Sequence, residues 1–339
     1  MPMVYKNRLP SQTYQQTSPS PDFTLSQESY IHKLPFELIS QIFLYCVPVG
    51  NEELAHDNFK NQPLGFILSA VCNDWQSVAL STPRLWTYVQ IRLRTLGIRS
   101  QFHITELCLH LSRSLPLSLH LLLHPGYEFD DIHLPKFLPI FHLLNTHSNR
   151  WGSLNIFLPF ALASRFYGLS GSANLHAIRI SHPTSLMNES GTPRSRNTFE
   201  MLGDRPKPNL VEISGLYLKY VKIDWTLVTN VRFSSLCVDE CHELFHRAPG
   251  LTHCTITEVV DGNEGFDIPE TPTLLSCLSH LELNFSCAVP AALILDKIHS
   301  PVLNELTIGA GSGVEECVKH LIHRSSCRLH PSYPHIYRK

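Results

Sequence analysis

Apolar residues between Leu34 and Trp86 recur at helical spacing in three short groups. These groups are Leu38, Ile39, Ile42, Phe43 and Cys46, then Leu64, Ile67, Leu68 and Val71, then Trp75, Val78 and Ala79. Spacings of three and four residues place each group on one face of a helix, which predicts three short helices. Pro35 suits the first helical position, and Pro48 ends the first helix. Asn73 or Asp74 is expected to cap the third.

A second pattern begins at Trp86, with apolar residues at the first, fourth and sixth positions of a short template. The matches begin at Trp86, Trp151, Leu175, Ile213, Phe233, Leu251, Leu278 and Leu303. Each predicts a strand, for example Ile213-x-x-Leu216-x-Leu218. An alternating run of leucines from Leu117 to Leu123 predicts one more.

A strand template that returns at intervals of about 20–29 residues is typical of leucine-rich repeats. Each such unit has one apolar strand face, and only stacking on its neighbours buries that face. Segments between strands, such as Cys317 to Ile322, are candidates for helices on the outer side. The Pro-rich segment between Leu175 and Ile213 suggests a surface insertion. The alternative is an α/β domain with ordinary alternating strands.

The N-terminal group also carries a family resemblance. The chain reads Leu34-Pro35-x-Glu37-Leu38-Ile39-x-x-Ile42-Phe43, then Val71-Cys72-x-x-Trp75-x-x-x-Ala79, then Pro83-x-Leu85-Trp86. This order and spacing resembles an F-box of the expanded fungal type. The resemblance implies docking of a Skp-type adaptor, and through it a cullin–RING ubiquitin ligase. The implied docking residues are Leu34, Pro35, Leu38, Ile39, Ile42, Phe43, Val71 and Trp75, with Phe43 and Trp75 expected to face inward. A generic helical hairpin with a buried Trp is the alternative.

The predicted fold class is therefore α+β or α/β, in which a short three-helix module precedes an irregular leucine-rich-repeat-like solenoid. The expected domains are a disordered leader at 1–28, the helical module at 29–86, the solenoid at 87–325 and an irregular tail at 326–339. The leader is rich in Gln, Ser, Thr and Pro, a composition that cannot offset the entropy of ordering.

Charge and composition narrow the class of function. The chain has 339 residues, with 27 basic and 29 acidic side chains, so its charge gives no case for nucleic-acid or membrane partners. It shows no secretory signal or membrane span, and we expect an intracellular protein of the cytoplasm or nucleus. The ten cysteines are expected to be reduced, with Cys46, Cys72 and Cys254 in the core. We expect most of the Leu-flanked histidines, such as His110, His120, His142 and His176, at the surface.

One motif could carry chemistry. His242-Glu243-Leu244-Phe245-His246 matches H-E-x-x-H, in which two His bind zinc and Glu is the general base. The simpler interpretation makes Leu244 and Phe245 the apolar face of a repeat's helix, followed by a turn. The expected function is a non-catalytic, cofactor-free substrate-recognition adaptor that binds a protein substrate by its repeats. An interaction scaffold without ubiquitination, a structural Cys/His site and a zinc metallohydrolase are the alternatives.

Overall fold

A computed structural model of the chain describes residues 33–47, 64–124, 130–171, 174–182, 194–285, 288–309, 314–329 and 336–337. The leader expected at 1–28, and Pro48, lie outside these residues. The described part is a mixed α/β fold. Its helices are α1 (Phe36–Tyr45), α2 (Leu64–Ser69), α3 (Asn73–Leu80), α4 (Ile98–Leu111), α5 (Leu134–Thr146), α6 (Phe160–Ala163), α7 (Val238–Arg247), α8 (Ala288–Leu295) and α9 (Glu315–Ser325).

The described strands are more numerous than the helices, and most are short. They are β1 (Tyr88–Leu93), β2 (Leu117–Leu123), β3 (Trp151–Phe157), β4 (Ala177–Ser181), β5 (Phe199–Glu200), β6 (Leu210–Ile213), β7 (Val221–Lys222), β8 (Asn230–Phe233), β9 (Leu236–Cys237), β10 (His253–Val260), β11 (Thr273–Leu274), β12 (His280–Phe285), β13 (Ile298–His299), β14 (Glu305–Gly309) and β15 (Ile336–Tyr337).

One large parallel sheet organises the described residues. Its order is β1-β2-β3-β4-β6-β8-β10-β12-β14-β15, with β9 paired alongside β10. The small strands form two separate pairs, β5 with β7 and β11 with β13. Each long strand therefore lies beside the next long strand of the chain, and the connecting segment returns to the same end of the sheet.

One face of this sheet forms the core. A single row of paired positions crosses nine strands and is buried throughout: Val89, Leu119, Leu154, Ile178, Val211, Val231, Cys254, Leu281 and Leu306. Helix α4 contacts α5, and α8 contacts both α7 and α9. Burying each large apolar side chain contributes about 1.5–3 kcal/mol, so this row accounts for much of the sheet's cohesion.

Two of the predicted strands are displaced from their predicted positions. The template match at Ile213 predicted a strand through Leu218, whereas β6 ends at Ile213. Gly215 adopts a φ of +80° two residues later and ends the strand, so Leu216 is buried beyond it, in an isolated bridge to Ser195. The match at Phe233 is wrong in part, because β8 ends there and the next template position, Leu236, lies in the separate strand β9. In both cases the template joins the end of one strand to buried residues that follow it.

The predicted surface insertion is wrong in part. Residues 183–193 lie outside the described residues, but the chain that follows them enters the core. Phe199 in β5 is 2% exposed and Met201 is 4% exposed. The parallel pairing of β5 with β7 draws this segment inward and buries both side chains.

Several local predictions for the N-terminal helices need correction. Helix α1 begins at Phe36, so Pro35 precedes the first turn instead of opening it. Helix α3 begins at Asn73, and its cap residue, Cys72, makes no side-chain capping bond. Cys46 is exposed and Cys72 half-buried, whereas Cys254 is buried as predicted. Cys46 follows the last residue of α1, beyond the turns that pack inward.

Trp86 joins the N-terminal helices to the sheet. It ends a short 3₁₀ turn, Pro83–Trp86, and is fully buried just before β1. Its indole Nε1 donates to the carbonyl oxygen of Ala79 at 2.8 Å, and its ring lies edge-on to Phe66 at 5.0 Å. A Cβ on Gly65 would lie 2.8 Å from the indole ring, so only glycine permits this approach. The large aromatic thus fixes α2 and α3 against the start of the sheet.

Candidate functional site

Helix α1 carries apolar side chains on two neighbouring faces, one buried and one exposed. Ile39 and Phe43 are buried, at 6% and 1% exposure, and face the other helices. The ring of Phe43 packs on that of Trp75 with 4.8 Å between centroids. Trp75 is itself only half-buried, so the expectation that both rings face inward is met fully by Phe43 and in part by Trp75. This inner face anchors α1.

The outer face of α1 is apolar and exposed. Leu38 and Ile42 are 46% and 42% exposed, one helical turn apart. Leu34, Pro35 and Val71 are exposed as well. Of the eight predicted docking residues, five are therefore accessible, while Ile39, Phe43 and Trp75 support them from within. An exposed apolar face of this kind is typical of a protein-interaction site.

The sequence prediction missed further exposed apolar residues in this module. Tyr45 is 88% exposed and follows Leu38 by seven residues, which places it on the same face of α1. Phe36, Ile67 and Leu80 are also exposed. The helical periodicity beyond Ile42 was the signal that would have included Tyr45. We name Leu34, Leu38, Ile42 and Tyr45 the α1 outer face.

The face of the large sheet opposite the core carries a row of polar residues. His120, Asn155, Arg179 and Glu212 occupy paired positions on four successive strands, β2, β3, β4 and β6. Asn155 Nδ2 lies 2.9 Å from His120 Nε2, and Arg179 Nη1 donates to Asn155 Oδ1 at 3.2 Å. Arg179 Nε donates to Glu212 Oε2 at 2.8 Å. The row is a hydrogen-bonded chain that holds four strands in register.

His120 corrects the expectation that the Leu-flanked histidines lie at the surface. His110, His142 and His176 are exposed, but His120 is 6% exposed. Burial lowers the pKa of His120 to about 4, and the charge of Arg179 acts in the same direction. Its ring packs 4.5 Å from that of Tyr88, and burial raises the pKa of Tyr88 to about 12. Both side chains are therefore neutral at physiological pH.

The burial of His120 predicts a specific loss of stability in acid. Its ordinary pKa is 6.5, so its contribution is complete above that pH and is lost as the pH falls towards about 4. Between about pH 7 and about pH 5 the wild-type chain should lose about 2 kcal/mol more than a His120→Gln variant. Urea unfolding of both proteins at the two pH values measures this difference. Equal losses would contradict the assignment of a buried neutral imidazole.

Histidines also occur at the other end of the polar face. His253 of β10 stacks on His280 of β12, with ring centroids 4.1 Å apart and planes 16° from parallel. His280 Nε2 lies 3.1 Å from Glu305 Oε1 on β14. His253 is exposed, and His280 and Glu305 are half-buried. This end of the face therefore carries accessible polar groups, unlike the buried row around Arg179.

The first turn of α7 is held by buried acidic side chains. Glu240 is fully buried and accepts from the backbone N–H of Leu218 at 2.7 Å and of Cys237 at 3.0 Å. Arg194 donates to the same carboxylate. Asp239 accepts from the backbone N–H groups of Glu264 and Phe266. These bonds cap the helix and join three neighbouring segments to it.

The H-E-x-x-H motif lies on α7 but does not assemble a zinc site. His242 is buried, and its Nε2 lies 3.1 Å from the carbonyl oxygen of Leu293. A carbonyl only accepts, so Nε2 donates and its lone pair is not free for a metal. His246 is exposed, and Glu243 is bound 2.6 Å from Arg247 Nε. The buried Leu244 and Phe245 favour the interpretation of a packed helix.

The described residues contain neither a metal-binding cluster nor a membrane-spanning helix. No three His, Cys, Asp or Glu side chains within them converge to hold a metal ion. Across the same residues, none of the helices combines the length and apolarity needed to cross a bilayer. In comparisons with known proteins, no protein-family model and no curated protein matches this chain.

Proposed function

We propose that this protein is an F-box substrate-recognition adaptor of a Skp–cullin–F-box ubiquitin ligase. The observation that carries the proposal is the α1 outer face, where apolar side chains are exposed on a helix whose other side is packed. An apolar set centred on Leu38 and Ile42 is costly in a monomer and gains stability when a partner covers it. The F-box-like order of residues from Leu34 to Trp86 supports a Skp-type adaptor as that partner.

We propose that the large sheet binds the protein substrate. The chain-order succession of parallel strands supports an irregular leucine-rich-repeat-like solenoid. Its polar face, opposite the core, would contact the protein substrate. The accessible end around His253, His280 and Glu305 offers imidazole and carboxylate groups for that contact. We place the protein in the cytoplasm or nucleus, where the ligase acts.

In this proposal the chain supplies no catalytic residue and needs no cofactor. It raises the effective concentration of a substrate lysine near the loaded conjugating enzyme. The rate gain comes from proximity, so loss of either contact surface should abolish ubiquitin transfer to substrate while the enzymatic subunits remain active.

Reconstitution of the ligase tests this function. The chain, a Skp-type adaptor, a cullin–RING pair and a conjugating enzyme are combined, and ubiquitin transfer to proteins bound by the chain is measured. Transfer that depends on the chain supports the proposal. A stable complex with the adaptor that yields no transfer would instead identify an interaction scaffold. Absence of an adaptor complex would refute both.

A further inference from the structure

A cavity beside the C-terminal end of α7 is lined by several cationic side chains. It has a volume of about 520 Å³. Its lining consists of Arg205, residues 221–226, His246 and Arg247. His246, the second His of the H-E-x-x-H motif, therefore lines this cavity instead of a zinc site. It lies at the C-terminal end of α7, beside the loop that leads into β8.

Two of the three cationic side chains at this cavity have no partner among the described residues, and the third is paired. Within the described part of the chain, the side chains of Arg205, Lys222 and His246 form no hydrogen bond or ion pair. Arg247 is directed by Glu243, whose carboxylate oxygen lies 2.6 Å from its Nε, and its guanidinium lies 5.5 Å from the ring of Phe266. Cations gathered without counter-charges repel one another, and a bound anion relieves that repulsion.

The lining contains one carboxylate, and neighbouring groups already balance its negative charge. Asp224 accepts from the backbone N–H and the hydroxyl of Thr226 at 3.0 and 2.6 Å. Lys207 Nζ lies 3.5 Å from its other oxygen. The hydrogen bonds from Thr226 lower the pKa of Asp224 and keep it ionised, with its charge directed at these donors. The unpaired cations therefore set the sign of the cavity.

The chemistry of the lining narrows the class of ligand that the cavity can bind. Val221, Ile223 and Trp225 are nearly fully buried and form an apolar floor, and the charged groups surround it. Guanidinium, ammonium and imidazole groups together present several N–H donors to one small volume. Such a set matches the multiple oxygens and the double charge of a phosphate better than a single carboxylate.

We propose that this cavity binds a phosphate group, either free or esterified to a hydroxyl. Arg205 and Arg247 would contact its oxygens through paired N–H groups, while Lys222 and His246 would add single donors. The site is separate from the α1 outer face and does not depend on the adaptor function proposed above.

Calorimetric titration of the full chain with inorganic phosphate, O-phosphoserine and serine tests the proposal. We expect saturable one-site binding of inorganic phosphate or O-phosphoserine and none of serine. Tighter binding of O-phosphoserine would assign the site to an esterified phosphate, and tighter binding of inorganic phosphate to the free ion. Absence of saturable binding by the wild-type chain would overturn the proposal without reference to any variant.

Two variants separate a defined site from general attraction. Arg205→Gln/Lys222→Gln removes two lining cations and should weaken binding at least about tenfold. Arg99→Gln/Lys319→Gln removes the same charge from exposed positions outside the cavity lining and should leave binding unchanged. All four positions are exposed or half-buried, so thermal unfolding should be similar for the three proteins. An equal loss in both variants would contradict the site.

Discussion

Replacing Trp86 with alanine is expected to lower the free energy of unfolding by about 4 kcal/mol. The side chain is fully buried between the N-terminal helices and the first strand of the sheet. Its removal leaves a cavity that Gly65, with no side chain, cannot fill, and it removes one of the two hydrogen bonds to the carbonyl of Ala79, which keeps that from the N–H of Thr82. Urea unfolding followed by circular dichroism measures the loss.

One further substitution separates the contribution of packing from that of the hydrogen bond, and a second compares Trp86 with another tryptophan. Trp86→Phe keeps much of the ring but loses the Nε1 donor, so a loss of about 1–2 kcal/mol is expected. Trp75→Ala removes a half-buried ring and should cost less than Trp86→Ala. If Trp75→Ala proved the more damaging of the two alanine variants, Trp86 would not be the junction described here.

The second large effect concerns binding. Leu38→Glu/Ile42→Glu should weaken the complex with a Skp-type adaptor at least about 100-fold, because it places two charges in an interface that excludes water. Both side chains are more than 40% exposed in the chain alone, so the stability of the fold should change little. Calorimetric titration with the purified adaptor measures the loss.

A matched control is available on two other helices. Leu107 of α4 and Leu138 of α5 are 39% and 42% exposed, so Leu107→Glu/Leu138→Glu makes the same chemical change away from α1. This variant should bind the adaptor like the wild type. If the control lost binding as severely as Leu38→Glu/Ile42→Glu, the α1 outer face would not be the docking surface.

The spacing of apolar residues predicted helices and strands correctly where those residues lie on one face of the element. The helices at α1, α2 and α3 and the strands around Leu281 and Leu306 lie where their spacing predicted. The strands at β6 and β8 were misplaced because buried residues beyond the strand ends, Leu216 in an isolated bridge and Leu236 in β9, continue the same spacing. The spacing of apolar residues reports burial, and it does not show where one strand ends and the next begins.

The candidate site was predicted less completely than the fold. The sequence predicted that Phe43 faces inward, but it did not separate Leu38 and Ile42 from Ile39, because all three are apolar and only packing decides which is buried. The buried position of His120 was not predictable, because it depends on Asn155 and Arg179 from strands distant in sequence. The cationic cavity likewise joins Arg205 to His246 through tertiary structure alone.

Titration of the purified full-length chain with a purified Skp-type adaptor tests the central claim most directly. We predict saturable one-to-one binding, with slower amide hydrogen exchange in α1 (Phe36–Tyr45) when the adaptor is present. Absence of binding by a chain that unfolds cooperatively, or binding that leaves exchange in α1 unchanged, would contradict the account.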